Sequence, residues 1–299
     1  MNSLYKQIAD KFGDRASFNR SLKDYNTFHI GGKADVVVSA ENTEEVSWLL
    51  NLVKANNLAW RVIGRGSNLL VPDRGFPGII LILGGSFKQM SVKGRLIEAG
   101  AGCCLTKFIK WCQQQGLGGG EFLFGIPGSV GGAVFMNAGA FGGHIADILT
   151  GIEVITPEKT AYYDQDELRY SYRRLDNWSD MGMAVIARAW FACRPDDPAM
   201  IRERCVKLIR KRQGRQPYGM PSAGSFFKNP QGDSAGRLID VCGLKGFRVG
   251  DAMISKKHAN FLVNAGQASS EDVVRLMEIV QKEVEYNSGV SLEPEVRFI

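Results

Sequence analysis

Long apolar runs are missing from this 299-residue chain, and no stretch is hydrophobic enough to span a bilayer as a helix. The first residues, MNSLYKQIADKFGDR, are polar and lack the apolar core of a secretory signal, so we expect a cytoplasmic protein with no membrane partner. Six cysteines are present (Cys103, Cys104, Cys112, Cys193, Cys205 and Cys242), but no CxxC pair and no zinc-ligand spacing. In a reducing compartment they read as packing residues, and no metal site is expected. Internal repeats and low-complexity tracts are also missing. The one dense basic run, RERCVKLIRKRQGR at 202–215, carries Ile201, Cys205, Leu208 and Ile209 at helical spacing and reads as a solvated helix. No interleaving of aromatic and basic residues offers a base-stacking platform. Nucleic acid is therefore not the expected partner of a chain with net charge +6 and a pI near 9.0; anionic small molecules such as nucleotides fit the charge.

Glycine is what the chain has in abundance. Of its 35 glycines, the stretch 116–143, GLGGGEFLFGIPGSVGGAVFMNAGAFGG, is the densest tract. Each glycine in a helix interior costs about 1 kcal/mol relative to alanine, which excludes an ordinary helix. Phe122, Leu123, Phe124, Ile126, Val130, Val134, Phe135, Met136 and Phe141 are interleaved and call for burial, which excludes a flexible linker. What remains is a rigid loop whose bare backbone approaches something closely. Exposed N–H groups at Gly128–Ser129 and Gly131–Gly132 would make a concave anion site suited to a phosphorylated cofactor.

In chain order the pattern predicts a short amphipathic helix before Asp24, a strand at 34–38, a helix capped by Thr43, and strands at 60–63 and 78–83. A second β-rich segment follows, with strands at 95–100, 151–155 and 183–191 and a helix from Thr106 that ends at Gly116. Pro195 and Pro198, with Asp196 and Asp197, mark a boundary. Beyond it come the basic helix, a Gly-Pro-rich loop at 216–230, a helix at 235–241, a strand at 260–264 and a final helix capped by Ser269 or Ser270. We expect an α+β chain organised as a connector (1–28), a domain at 29–194 with lobes at about 29–85 and 86–194, and a third unit at 195–299.

Gly64-Arg65-Gly66-Ser67-Asn68 follows a strand but fails as a dinucleotide fingerprint, because Leu69 stands where a third glycine is needed and no helix follows. No Walker A lysine is present. Two such glycine loops, one in each lobe, could still grip a diphosphate, which points to a two-lobe flavin-binding arrangement.

Seven motifs occur in a fixed order: NTFHIGG (26–32), GRGSNLLV (64–71), GIPGSVGGA (125–133), NAGAFG (137–142), YSYR (170–173), GSFFKNP (224–230) and PEVR (294–297). In these the chain resembles the UDP-N-acetylenolpyruvoylglucosamine reductase family over nearly its whole length, in its shorter form. The resemblance implies a two-lobe FAD-binding domain of the vanillyl-alcohol-oxidase-like (PCMH-type) fold and a C-terminal α+β domain for the UDP-sugar substrate. It also implies non-covalent FAD, NADPH as co-substrate, and a role in cell-wall precursor synthesis. Hydride would pass from NADPH to flavin N5 and then to C3 of an enolpyruvyl ether, with a proton added at C2. We expect a monomer.

By the same resemblance FAD would be held by Gly64, Arg65, Gly66, Ser67, Asn68 and Leu69, and by Gly125, Pro127, Gly128, Ser129, Gly131, Gly132, Ala133, Asn137, Ala138 and Gly139. Arg173, Ser225 and Glu295 would be catalytic: a fork for the carboxylate, the proton donor to C2, and a carboxyl group beside the developing charge. Tyr172, Lys228, Asn229, His258 and Asn260 would contact the UDP-sugar. Two departures stand out. Arg65 occupies a position often held by glycine, and Leu175 one often held by serine. From the residues alone, Arg174 competes with Arg173. Another FAD oxidase of the same fold, or a nucleotide-binding protein without catalysis, also remains open.

Overall fold

A computed structural model describes residues 3–299. They form two compact units. The first holds the described residues up to Ser17 with Val36–Gly64 and Gly78–Arg210, and the second holds Phe18–Asp35, Arg65–Pro77 and Lys211–Ile299.

In the first unit, helix α1 (Ser3–Phe12) buries Leu4, Ile8 and Phe12. Helix α2 (Thr43–Asn56) follows, and its cap is Asn42 rather than the expected Thr43. Asn42 keeps extended backbone and its side chain accepts from Glu45 N at 2.9 Å, so Thr43 is already the first helical residue. The buried Glu45 carboxylate is clamped by Arg15 at 2.6 and 2.7 Å, which holds its pKa below the ordinary value. Trp60–Val62 pairs in parallel with Ile79–Leu81.

Five antiparallel strands make the main sheet of this unit, in the order Thr160–Asp164, Leu149–Ile155, Val185–Ala192, Leu96–Gly100 and Met90–Lys93. The two outermost strands were not expected from the sequence, since each is short and largely exposed. Helix α3 (Leu105–Gln114) begins one residue before the expected Thr106 and turns Leu105, Phe108, Ile109 and Cys112 inward. Phe108 meets Phe191 of the sheet with ring centroids 5.0 Å apart. Helix α4 (Val130–Phe135) is short, and helix α5 (Pro198–Arg215) carries the basic run, burying only Ile201 and Cys205.

The second unit has one core, in which Phe28, Ile30 and Leu70 join Phe226 and Phe227 under helices α6 (Ala235–Val241) and α7 (Ser270–Ser288). NTFHIGG thus acts as a plug. Asn26 donates to the carbonyls of Leu22 (2.6 Å) and Ile30 (2.9 Å), and its Oδ1 accepts from Phe28 N at 3.1 Å, which turns Phe28 and Ile30 inward. Three strands, Arg248–Val249, Ala252–Ile254 and Leu262–Asn264, pair antiparallel. The last is shorter than the expected 260–264, because Phe261 N bonds back to His258 O at 3.0 Å in a turn. Ser269 caps α7 in a reciprocal box with Asp272, and Gly289, at φ 69°, ends the helix.

Candidate active site

The loop at 65–69 belongs to the second unit. Gly66 lies in left-handed backbone at φ 61°, and a Cβ there would stand 2.1 Å from Tyr25 O. Its glycine is therefore required by protein packing. The loop's carbonyls are engaged: Thr27 N donates to Gly66 O at 3.2 Å and Arg297 N to Asn68 O at 2.9 Å. Its N–H groups are not. Those of Arg65, Gly66, Ser67 and Asn68 have no acceptor among the described residues. Four consecutive unclaimed donors in a half-exposed loop form the kind of concavity that takes phosphate or carbonyl oxygens. Arg65, the departure from glycine, is exposed.

Three segments of this unit run side by side. Leu69–Leu70 pairs in parallel with Arg297–Phe298, and Asn68 Nδ2 donates to Glu295 O at 3.1 Å. Glu295 N in turn donates to Phe226 O at 2.8 Å, and Phe227 bridges Pro294. Gly224, at φ 80°, brings the 224–228 segment to Ser67, whose carbonyl lies 3.9 Å from the Cβ position of residue 224. Ser67, Asn68, Ser225 and Glu295 are thereby drawn together from three places in the sequence. Ser225 is half-buried, and its hydroxyl has no partner among the described residues.

The surrounding candidates divide. Asn260 is buried, and its amide is fully engaged with Phe227: Nδ2 donates to the carbonyl at 2.8 Å and Oδ1 accepts from the N–H at 2.9 Å. It braces the Ser225 segment. His258 stands behind it, with Nδ1 accepting from Asn260 N at 3.2 Å and its ring edge-on to Phe261. Burial first, and Lys245 next, hold the imidazole below its ordinary pKa. Asn229 accepts from Ala235 N at 3.1 Å, at the start of α6. Lys228 pairs with the exposed Glu293 at 2.9 Å.

In the first unit, residues 128–131 lie along 101–105. Leu105 N donates to Gly128 O (3.0 Å), Val130 N to Cys103 O (2.8 Å) and Gly131 N to Ala101 O (2.8 Å). Gly132 N is taken by the Ser129 hydroxyl, which caps α4 at 3.3 Å. The anion site expected at Gly131–Gly132 is thus not free, because its donors serve the protein. Ser129 differs. It faces Cys104 as a non-hydrogen-bonded antiparallel pair, so its N–H points away from that strand. On that side lies Gly64, where a Cβ would stand 2.2 Å from Ser129 Oγ. Ala133 is buried in the core, Pro127 and Gly132 are exposed, and Gly125 turns in left-handed backbone at φ 81°.

Asn137 is a bracket. Its Nδ2 donates to Ser171 O at 3.0 Å and its Oδ1 accepts from Ala146 N at 3.3 Å. Ala138 N is bound to Ala133 O at 2.8 Å, and Gly139 leaves no room for a Cβ beside Gly143 O. The bracket fixes a hairpin, Tyr170–Ser171 paired with Arg174–Leu175, whose two-residue tip is Tyr172–Arg173. Arg173 is left-handed at φ 60°, unusual for a residue with a Cβ, and its guanidinium donates to Gly139 O at 3.0 Å and lies 4.9 Å from the Tyr172 ring. Arg174 points elsewhere, exposed and 3.4 Å from Asp176. Geometry therefore separates the two arginines that the sequence left level.

Sequence reading missed one feature. Glu121, the one charge between Gly116 and Gly143, is buried, accepting from Gly119 N at 2.8 Å and from Arg204 at 2.7 and 3.0 Å. Arg204 also holds Asp196, and Gly118 has no Cβ because that position lies 3.0 Å from Glu121 Oε1. A lone carboxylate in an apolar glycine tract was the available signal. No group of three or more His, Cys, Asp or Glu side chains among the described residues could hold a metal ion, and no described helix is long and apolar enough to cross a membrane.

The unclaimed donors at 65–68 and the outward Ser129 N–H fit a cofactor rich in acceptor oxygens and nitrogens. The sequence comparisons agree. The FAD binding domain family matches residues 34–161, which defines the class: an FAD-dependent oxidoreductase of the vanillyl-alcohol-oxidase-like fold. The family model for the UDP-N-acetylenolpyruvoylglucosamine reductase C-terminal domain matches residues 216–299. The chain belongs to the UDP-N-acetylenolpyruvoylglucosamine reductase family. It is 43% identical to UDP-N-acetylenolpyruvoylglucosamine reductase 2 of Symbiobacterium thermophilum, over 99% of this chain and 97% of the relative. Identity to the reductase of Caldicellulosiruptor saccharolyticus is 42%, covering 94% and 91%. Among solved structures, UDP-N-acetylenolpyruvylglucosamine reductase from Thermus caldophilus superposes with a TM-score of 0.82 at 40% identity, covering 95% of this chain and 97% of that one.

Proposed function

We propose that this protein reduces the enolpyruvyl ether of UDP-N-acetylglucosamine to UDP-N-acetylmuramate, with NADPH as hydride source, in peptidoglycan precursor synthesis and hence in cell growth and division. FAD, held by residues 64–69 and 125–139, would supply the two-electron redox chemistry that links NADPH to the enolpyruvyl group. Everything else falls to side chains of the chain. Hydride addition at C3 leaves charge at C2, delocalised into the carboxylate, and preorganised donors must meet it. Arg173 holds that carboxylate with its planar fork, and its left-handed backbone and Gly139 contact keep the fork aimed. Ser225 carries the proton for C2, and its unengaged hydroxyl is available to give it. Glu295 stands beside the developing charge, as a protonated carboxyl or polarising it through a water.

FAD is held by residues 64–69 and 125–139 of the domain at 29–194, and the UDP-sugar by residues 195–299, with Tyr172, Lys228, Asn229 and His258 at its edge. Asn260 acts through Phe227. We place the enzyme in the cytoplasm as a monomer. The observation that carries this reading is the convergence of Ser67–Asn68, Ser225 and Glu295 along three paired segments. Anaerobic stopped flow tests it. NADPH should bleach the flavin band, and the UDP-enolpyruvyl sugar should then restore it. A band that NADPH bleaches and the sugar leaves bleached would sink the substrate assignment while leaving the flavoenzyme intact.

A further inference from the structure

We propose that the buried hydroxyl of Tyr170 donates a hydrogen bond to an acceptor atom of bound FAD, which makes Tyr170 a cofactor-binding residue on the same hairpin as Arg173. The proposal rests on the FAD reading given above. Its starting point is an unpaired group: the Tyr170 oxygen is shielded from solvent and has no hydrogen-bond partner among the described residues. Buried hydroxyls are nearly always paired, because one that gives up water without gaining a partner is destabilising. The hairpin offers no internal substitute. Tyr170 pairs with Leu175, so the two side chains share one face, opposite the face of Ser171 and the exposed Arg174. Leu175 is buried, and its strand packs against α4, the helix that starts from the Ser129 cap. The Tyr170 face is therefore the one turned to the glycine-rich loop.

Nor can the hairpin easily move to find another acceptor. Asn137 binds Ser171 O, Arg173 binds Gly139 O, and Ser171 Oγ donates to Asp176 at 2.8 Å. Burial raises the Tyr170 pKa above its ordinary value, so at neutral pH the group is a donor and awaits an acceptor. FAD brings acceptors of every needed kind, in its phosphate oxygens, ring carbonyls and ring nitrogens. The same hairpin then serves two ligands, with Arg173 at its tip for the substrate carboxylate and Tyr170 on its inner face for the cofactor. The YSYR motif includes Tyr170 but gave it no role, since an aromatic residue at that point of a hairpin reads as packing.

The test is to titrate apoprotein with FAD, following quenching of flavin fluorescence, for wild type and Tyr170→Phe, and to melt both apoproteins. We expect the Kd for FAD to rise about five- to tenfold, the loss of one neutral hydrogen bond. The apoprotein melting temperature should stay level or rise, since phenylalanine removes an unsatisfied group. Equal Kd values overturn the proposal; if the variant apoprotein also melts lower, the hydroxyl's partner is an internal water. Should Tyr170→Phe fail to fold, 3-fluorotyrosine placed at this position in otherwise wild-type protein decides: a fluorine resonance unmoved by FAD overturns the proposal and a shifted one supports it. A wild-type apoprotein that takes up no FAD would overturn the cofactor assignment, and this proposal with it.

Discussion

The two glycine loops look alike in sequence, Gly64-Arg65-Gly66-Ser67-Asn68 and Gly128-Ser129-Val130-Gly131-Gly132, and they are built in opposite ways. In the first, the carbonyls of Gly66 and Asn68 are engaged and the N–H groups of residues 65–68 are bare. In the second, the N–H groups of Val130, Gly131 and Gly132 are engaged by Cys103, Ala101 and Ser129, and Ser129 turns its own N–H outward. Glycine thus reports close approach without saying of what. At 66 the neighbour is Tyr25 O, 2.1 Å from a would-be Cβ, and at 131 it is Ala101, at 2.8 Å. At 132 the nearest protein atom is 3.4 Å away, and no positive φ demands glycine. Packing within the protein therefore does not require glycine at 132.

Replacements can break this contrast. The largest effect should come from Ser225→Ala, beside the first loop. We expect flavin bleaching by NADPH to stay fast while substrate reduction slows by roughly 100-fold or more. Equal slowing of both half-reactions in stopped flow would remove the proton-donor role. Beside the second loop, Arg173→Ala should lower kcat/KM roughly 100-fold, the scale of losing one preorganised donor, whereas Arg174→Ala should change it by about twofold or less. The reverse ranking would refute the geometric choice between them. The glycines sharpen the contrast directly. Gly66→Ala should destabilise the protein by about 2–3 kcal/mol in urea unfolding through its backbone clash. Gly132→Ala should leave the apoprotein as stable or slightly more so, gaining up to about 1 kcal/mol of helix propensity, while weakening FAD binding at least about tenfold. A Gly132→Ala protein that binds FAD normally would mean that cofactor does not approach there. Ser129→Ala, which removes the α4 cap, should cost about 1 kcal/mol of stability.

The smallest effect is electrostatic and tests the scaffold behind Ser225. His258 is held below its ordinary value of 6.5 by burial and by Lys245. The native state therefore binds its proton less tightly than the unfolded chain. The stability this contributes is complete above about pH 6.5 and is lost as pH falls through the depressed native value. Urea midpoints between about pH 5 and pH 7.5 should show that slope in the wild type and lose it in His258→Asn, and a parallel slope in the variant would assign it to another group.

Much of the fold was legible because its signals are local. Ser269 with Asp272, the apolar face of α7 and the glycine that ends it all lie within one segment. So did the α3 face and the buried strands expected at 78–83 and 183–191, which form as Phe76–Leu83 and Val185–Ala192. What escaped was set by partners distant in sequence. The Gly131 donor could be judged free only by not knowing that Ala101 lies beside it. Asn260 looked like a ligand because its polar side chain gave no hint that both ends of the amide are bound to Phe227. Arg173 and Arg174 were level until a left-handed backbone turned one to Gly139 and left the other by Asp176. Motif order led to the correct family, while the division of labour inside each motif needed the fold.

The pairing of Leu69–Leu70 with Arg297–Phe298 has a consequence for the order of events during synthesis. Asn68 and its partner Glu295 are 227 positions apart, so the first glycine loop emerges from a ribosome long before the strand that pins it. Until that strand arrives, the loop is held at its Gly66 end by Thr27 and Tyr25 but not at Asn68. On the function proposed above, flavin loading at this loop is expected to follow translation rather than accompany it, and a chain stopped short of Arg297 should bind FAD more weakly than the full chain.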